Sequence, residues 1–228
     1  MKRAKRLHRS HPKFRLRPFS RGLLRYFQRL HSPKTIKRAG WGALATVPGL
    51  AIAGPTGESV VAGNVQVARP DVNSTQINQT SQNAIVNWNT FSIDGNEYVL
   101  IQQPNSSSTI LNRVIGSQQS RILGQLQANG RVFLVNPQGV YVGPDAKIDV
   151  GAITLSALDI KDDDFLNGNY VFSGQPANGS VENAGTITAA DGGFVVLAGD
   201  YVNYTGVNTA TLGTVAWGAG EQVTLEID

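Results

Sequence analysis

The chain has 228 residues, no cysteine, and histidine only at positions 8, 11 and 31. Its net charge of +4 conceals two regions: residues 1–53 hold 14 of the 20 Lys and Arg and no acid, while the remainder carries six basic and sixteen acidic side chains, a net of −10. From Gly54 onward there is neither His nor Cys, which excludes Ser-His-Asp and Cys-His catalysis, the common zinc sites and disulfide stabilisation in that part.

In chain order, residues 1–38 are basic and residues 39–50 (AGWGALATVPGL) are small and apolar. Ala51-Ile52-Ala53 then offers the small-x-small pattern that signal peptidase reads. This layout predicts an export signal over residues 1–53, cleaved after Ala53 to leave Gly54 as the new N-terminus. The apolar segment is about a dozen residues, too short to cross a ~30 Å hydrocarbon core as a helix, so no stable membrane insertion is expected. The rival reading is a nucleic-acid-binding arm, with Phe14, Phe19, Tyr26 and Phe27 among the basic residues. It gives no reason for the apolar segment and the Ala-x-Ala site that follow, so no nucleic-acid partner is expected. The lack of cysteine suits a chain exported unfolded, because a disulfide would block threading.

Residues 54–228 form one expected domain. Residues 59–67 (SVVAGNVQV) alternate in polarity, as a strand capping the N-terminal end would. From Ser120 to Ile160 short β-type runs (Arg131–Val135, Val140–Val142, Lys147–Val150, Ile153–Leu155) are broken by Asn129-Gly130, Asn136-Pro137-Gln138-Gly139, Gly143-Pro144-Asp145 and Gly151. Such punctuation turns the chain every few residues and leaves almost no room for a helix. Residues 161–174 interrupt the pattern and are expected to form a loop or small hairpin outside it. Further on, GTITAADGGFVVLAG (185–199) aligns with GVNTATLGTVAWGAG (206–220) at a shift of 21, placing Gly185 on Gly206, Thr188 on Thr209, Ala189 on Ala210, Gly199 on Gly220 and, outside the block, Val181 on Val202. A period in this range marks a solenoid. The β-formers in each unit, and the lack of a leucine and asparagine lattice, favour a parallel β-helix over a leucine-rich repeat, with Val181, Ile187, Val195 and Leu197 facing inward.

Four blocks in this order resemble the N-terminal secretion domain of filamentous haemagglutinins, the exported partners of two-partner secretion systems: INQTSQNAIVNWNTFSI (77–93), QQPNSSSTILNRVIG (102–116), the segment 120–160, and VENAGTITAADGGFVVLAG (181–199). The family's NPNG turn stands here as Asn136-Pro137-Gln138-Gly139, with Gln in the third place. With the repeat, the expected fold is all-β: a right-handed single-stranded parallel β-helix of three-stranded coils of about 20 residues, with an N-terminal β cap and small extra-helical hairpins. The resemblance implies recognition by an outer-membrane transporter β-barrel with periplasmic domains. It further implies display or release as an adhesin-like surface protein acting on host-cell glycans or proteins, with no cofactor. The NPNG turn is tied to secretion in the family, which points to Asn136, Pro137, Gln138 and Gly139; Asn112 and Arg113 in LNRV are secondary candidates. A turn needed only for folding, and an Arg113 paired only with an acidic neighbour, are the plainer readings.

The enzymatic alternative is a carbohydrate-active β-helix. A glycosidase needs two carboxylates across a groove, and Asp145, Asp149, Asp159 and Asp191 are the candidates. The six basic residues after Gly54 are scattered, which disfavours a lyase. Asp162-Asp163-Asp164 could ligate calcium through oxygen, but its spacing fits no calcium loop and a solvated acidic turn is the simpler expectation.

Overall fold

A computed structural model describes residues 54–174 and 179–227. The expected signal, including Ala51 and Ala53, lies outside the described residues.

Strands β1 (Ser59–Ala62) and β2 (Val65–Asp71) precede the first coil, which contains β3 (Ser74–Gln79) and β4 (Asn83–Trp88). The second coil is β5 (Tyr98–Gln102), β6 (Thr109–Val114) and β7 (Ser120–Ile122), and the third is β8 (Gln125–Ala128), β9 (Arg131–Val135) and β10 (Val140–Val142). The fourth begins with β11 (Lys147–Val150) and β12 (Ala152–Ser156). It then leaves the solenoid through β13 (Asp159–Ile160), helix α1 (Asp162–Leu166) and β14 (Tyr170–Ser173), and returns at β15 (Ser180–Asn183). The fifth is β16 (Thr186–Ala189), β17 (Phe194–Gly199) and β18 (Tyr201–Tyr204); the sixth contains β19 (Val207–Ala210) and β20 (Thr214–Ala219), followed by β21 (Gln222–Leu225).

Coils stack by parallel pairing into three sheets. Sheet 1 runs β1-β4-β6-β9-β12-β17-β20, sheet 2 runs β2-β3-β5-β8-β11-β16-β19, and sheet 3 holds only β7-β10-β15-β18. The expected cap is present: β1 pairs antiparallel with β4 and β2 antiparallel with β3, so the first coil's edges are covered by strands of opposite sense, which blunts otherwise open hydrogen-bonding edges.

Alternation along each strand sends one set of side chains into the solenoid, where like stacks on like. The register carries Thr75, Val99, Leu126, Ile148, Ile187 and Asn208 in one ladder. Its four middle members are apolar and fully buried, and its ends are polar. Val181, Ile187, Val195 and Leu197 are all at 0% exposure, as their spacing predicts.

The middle of sheet 1, from β4 to β17, is buried on its outer face as well. Antiparallel β13-β14-β21 and helix α1 cover it, forming a second core around Phe133. Phe133 meets Phe165 edge-on at 5.3 Å and stacks on Tyr170 at 4.9 Å. This explains why four consecutive residues of β9 and all five of β12 are buried, whichever face they point to.

Residues 161–174 lie outside the coil, as expected: β14 pairs antiparallel with β13 in a small hairpin, and the connection between them adds a helical turn whose three leading aspartates suit the positive end of the helix. One expectation is corrected. The 21-residue shift holds on sheets 3 and 2, with Val181 opposite Val202 and Ala189 opposite Ala210, but sheet 1 pairs Phe194 with Thr214 and Gly199 with Ala219, a shift of 20. The turn before β20 has one residue fewer than the turn before β17, and Leu212 in it adopts φ +55°. A non-glycine side chain there is strained.

Candidate functional site

The turn Asn136-Pro137-Gln138-Gly139 carries the chain from sheet 1 to sheet 3 at the corner of the third coil. The Gly139 amide donates to the Asn136 carbonyl at 2.8 Å, closing the turn, and the Asn136 side-chain oxygen accepts from the Gln138 amide at 2.9 Å. Among the described residues only Leu212 has a positive φ without being glycine, so Gln138 does not. A type II turn, which needs Gly or Asn at this position, is therefore excluded. Gln in place of the family's Asn is accommodated for that reason.

The same turn is clamped by both neighbouring coils. Asn136 Nδ2 donates to the Gln118 carbonyl and to Ser120 Oγ, each at 2.9 Å, while its backbone N–H donates to the Ser156 carbonyl at 2.9 Å. The Gly139 carbonyl accepts from the Ser120 amide, and its φ is +100°. A Cβ at Gly139 would lie 2.7 Å from the Ser180 carbonyl oxygen of the coil above, so glycine is required by both backbone sign and space. Asn136 is fully buried and Gly139 buried; Pro137 and Gln138 are half-exposed.

Asn112 and Arg113, adjacent on β6, point to opposite faces. Asn112 lies inside the solenoid at 0% exposure, accepting from the Trp88 indole N–H at 3.1 Å. This bond satisfies the one polar atom of a buried indole. Arg113 points outward and joins the solenoid to the outer layer. Its Nε donates to Asp159 Oδ1 at 2.9 Å, its Nη1 to Asp162 Oδ1 at 2.6 Å, and its Nη2 to the Ile160 carbonyl. Burial opposes the Arg113 charge, but the Asp162 hydrogen bond and the Asp159 charge outweigh it and raise its pKa above the ordinary arginine value. Arg113 thus does pair with acidic neighbours, and Asp162 is one of them, a partner 49 residues away that no local signal announces.

Gly54 heads the described chain. Its backbone N–H donates to Glu97 Oε2 at 3.1 Å. Nearby, Arg69 bonds Glu58 at 2.9 Å and the Pro55 carbonyl at 2.7 Å. Neither Glu97 nor the Arg69–Glu58 pair is marked by any sequence motif.

The enzymatic candidates do not assemble. Asp149 stands on the outer face of sheet 2 in a shallow groove of about 250 Å³, with no second carboxylate lining it. A groove of about 420 Å³ beside the outer layer holds Asp159 and Asp162, but both are engaged by Arg113. Asp145 and Asp191 are exposed in turns of different coils. Among the described residues no group of three His, Cys, Asp or Glu side chains could hold a metal ion, and no helix is long and apolar enough to cross a membrane.

Comparison with known proteins matches residues 51–227 to the TPS secretion domain, the domain of two-partner secretion. Two heme/hemopexin-binding proteins of Haemophilus influenzae are 37% and 33% identical over 165 and 164 residues. These matches cover 69% and 64% of this chain but only 18% of each relative. The crystal structure of the HMW1 secretion domain from Haemophilus influenzae superposes with a TM-score of 0.71 at 37% identity, covering 75% of this chain and 46% of that one. The parallel solenoid, its antiparallel cap and its NPNG-type corner therefore have a single common setting: this chain belongs to the TPS secretion domain family.

Proposed function

We propose that this chain is the passenger of a two-partner system, exported through the outer membrane by its own transporter barrel and then displayed on the surface or released. The family match across residues 51–227 supports this reading, and its start beside Ala53 agrees with cleavage there. Residues 1–53 direct the chain to the periplasm, and the mature chain begins at Gly54. Periplasmic domains of the transporter bind it before it folds.

The observation that carries the mechanism is the burial of Asn136. A side chain with no exposed surface and every polar atom bonded within the fold cannot be read by a partner after folding. Recognition of Asn136, Gly139 or Asn112 therefore belongs to the unfolded chain, and the solenoid then hides what the transporter has read. Pro137, Gln138 and Arg113 retain some exposure. Each coil that closes outside buries its ladder residues against the previous one, which opposes backsliding without a nucleotide.

The end use in the relatives' names finds little support among the side chains of this domain. From Gly54 on there is no His, Cys or Met, so haem iron would find only tyrosine as a side-chain ligand of the usual kinds. Export, with adhesion to host glycans or proteins as the role of the whole passenger, is the function we assign.

The test is co-production of the full precursor with a two-partner transporter. Release into the medium of a chain starting at Gly54, dependent on the transporter, is the expected result. Asn136→Ala should leave processed chain in the periplasm. Release that is independent of the transporter overturns the proposal. In vitro refolding of Asn136→Ala at the wild-type rate would assign the export defect to recognition rather than folding.

A further inference from the structure

We infer that signal cleavage creates an ion pair that latches the start of the solenoid: the new α-ammonium of Gly54 docks on the Glu97 carboxylate. This rests on the reading of Ala53–Gly54 as the processing site.

The geometry is already in place around the nitrogen. Gly54 N lies 3.1 Å from Glu97 Oε2, and the same oxygen accepts from the Asp94 amide at 2.8 Å. Glu97 sits just before β5, and its carbonyl accepts from the Gln125 amide of the next coil at 3.0 Å. In the precursor this nitrogen is a neutral amide with one proton. Hydrolysis of the Ala53–Gly54 peptide bond consumes one water, leaves a carboxylate on Ala53 and an amine on Gly54, and the amine takes up a proton at neutral pH. The contact changes from an amide–carboxylate hydrogen bond to a charge-assisted one, which is roughly twice as strong.

Three further contacts hold the segment for this role. A Cβ on Gly54 would lie 2.8 Å from Thr75 Oγ1 and 3.5 Å from a Val99 methyl carbon, so a residue without a side chain fits the approach to β3 and β5. Pro55 is buried, and its carbonyl accepts from Arg69 on β2. Thr56 exchanges backbone bonds with Asn89 and Thr90 after β4. The charged groups facing this corner are Glu97 and Asp94 before β5, Glu58 before β1 and Arg69 on β2. Glu58 and Arg69 bond each other, which leaves Glu97 as the carboxylate in contact with the new amine.

The chemistry gives the latch a direction. The uncleaved precursor lacks the extra charge, so its first coil closes less firmly than that of the processed chain. After processing, the pair favours the charged amine and raises its pKa in the folded state. The stability it contributes is therefore full below the ordinary α-amine value of about 7.7–8.0 and is lost as pH rises through the raised folded value.

The experiment uses the processed full-length product of the precursor and its Glu97→Gln variant. Gln keeps an acceptor oxygen for the Asp94 amide, so the turn is preserved. N-terminal sequencing is followed by NMR titration of the Gly54 α-amine. The expected result is a start at Gly54 and an amine pKa above the ordinary range in the wild type, returning to that range in Glu97→Gln. The unfolding midpoint of the wild type should fall relative to the variant between about pH 8 and 10. Equal pKa values in the two proteins overturn the latch while leaving the cleavage site intact. A start at any other residue overturns the cleavage reading and the latch with it. Should Glu97→Gln not fold, a processed chain with one added residue before Gly54 serves instead; an unchanged midpoint across the same pH range then overturns the latch.

Discussion

The fourth and sixth coils are built from the same kind of sequence, yet they sit in opposite conditions. In the fourth, every residue of β12 is buried; in the sixth, no residue of β20 is, and Trp217 is 54% exposed although it occupies the inward ladder position of Leu155 and Leu197. Trp217 instead turns against Tyr204 at 4.8 Å. Burial in a solenoid therefore depends on the neighbours above and below more than on the residue. The fourth coil also has the outer layer over it, so sheet 1 there is covered twice.

The largest test of this contrast pairs one inward truncation from each coil. Leu155→Ala should cost about 3–5 kcal/mol and Val215→Ala less than about 1 kcal/mol, measured by chemical denaturation of the processed protein. Equal losses would break the comparison. Next in size is Asn136→Ala, which removes the amide that ties Gln118 and Ser120 to the turn. It should cost about 2–3 kcal/mol, because the groups it satisfied stay buried, whereas Gln138→Ala at the half-exposed position should cost less than about 0.5 kcal/mol.

A smaller effect of opposite sign is expected in the turn before β20. Leu212 is 89% exposed at φ +55°, so Leu212→Gly relieves strain without losing packing and should stabilise by about 0.5–1 kcal/mol. The smallest is a pH effect at the cap. The Arg69 hydrogen bond outweighs partial burial and holds the Glu58 carboxyl below its ordinary range. Its folded pKa is depressed, so its contribution is present above the unfolded value of about 4.3 and is lost as pH falls through the folded one. The pair is partly exposed to solvent, so the effect is small and salt-sensitive. Glu58→Gln should flatten the acid limb of the midpoint-against-pH curve below about pH 4, and added salt should shrink the difference.

Much of the architecture was legible because a solenoid is local. The runs Arg131–Val135, Val140–Val142 and Lys147–Val150 appear as strands β9, β10 and β11 with the same bounds, since their turns are written in adjacent Asn, Pro and Gly. The NPQG corner was equally visible. Its clamp was not, because Gln118, Ser156 and Ser180 belong to other coils. The extra-helical segment shows in the sequence as an interruption, but its pairing with β21 and its aromatic core with Phe133 cannot be read from a stretch whose partners lie more than 20 residues away.

What the amino-acid order settled alone is therefore what neighbours along the chain enforce: two regions of opposite charge, turns at fixed points, alternation, and a repeat near 21 residues. The tertiary structure decided whatever depends on residues brought together from different coils. It made β17 and β20 pair at 20, because one turn lost a residue. It aimed Arg113 at Asp159 and Asp162, because the outer layer folds back across β6. It set Gly54 beside Glu97, because the cap closes over the first coil. Short-range sterics act within a few bonds and leave a mark in the sequence, whereas packing and ion pairing are chosen among many distant partners by the free energy of the whole fold.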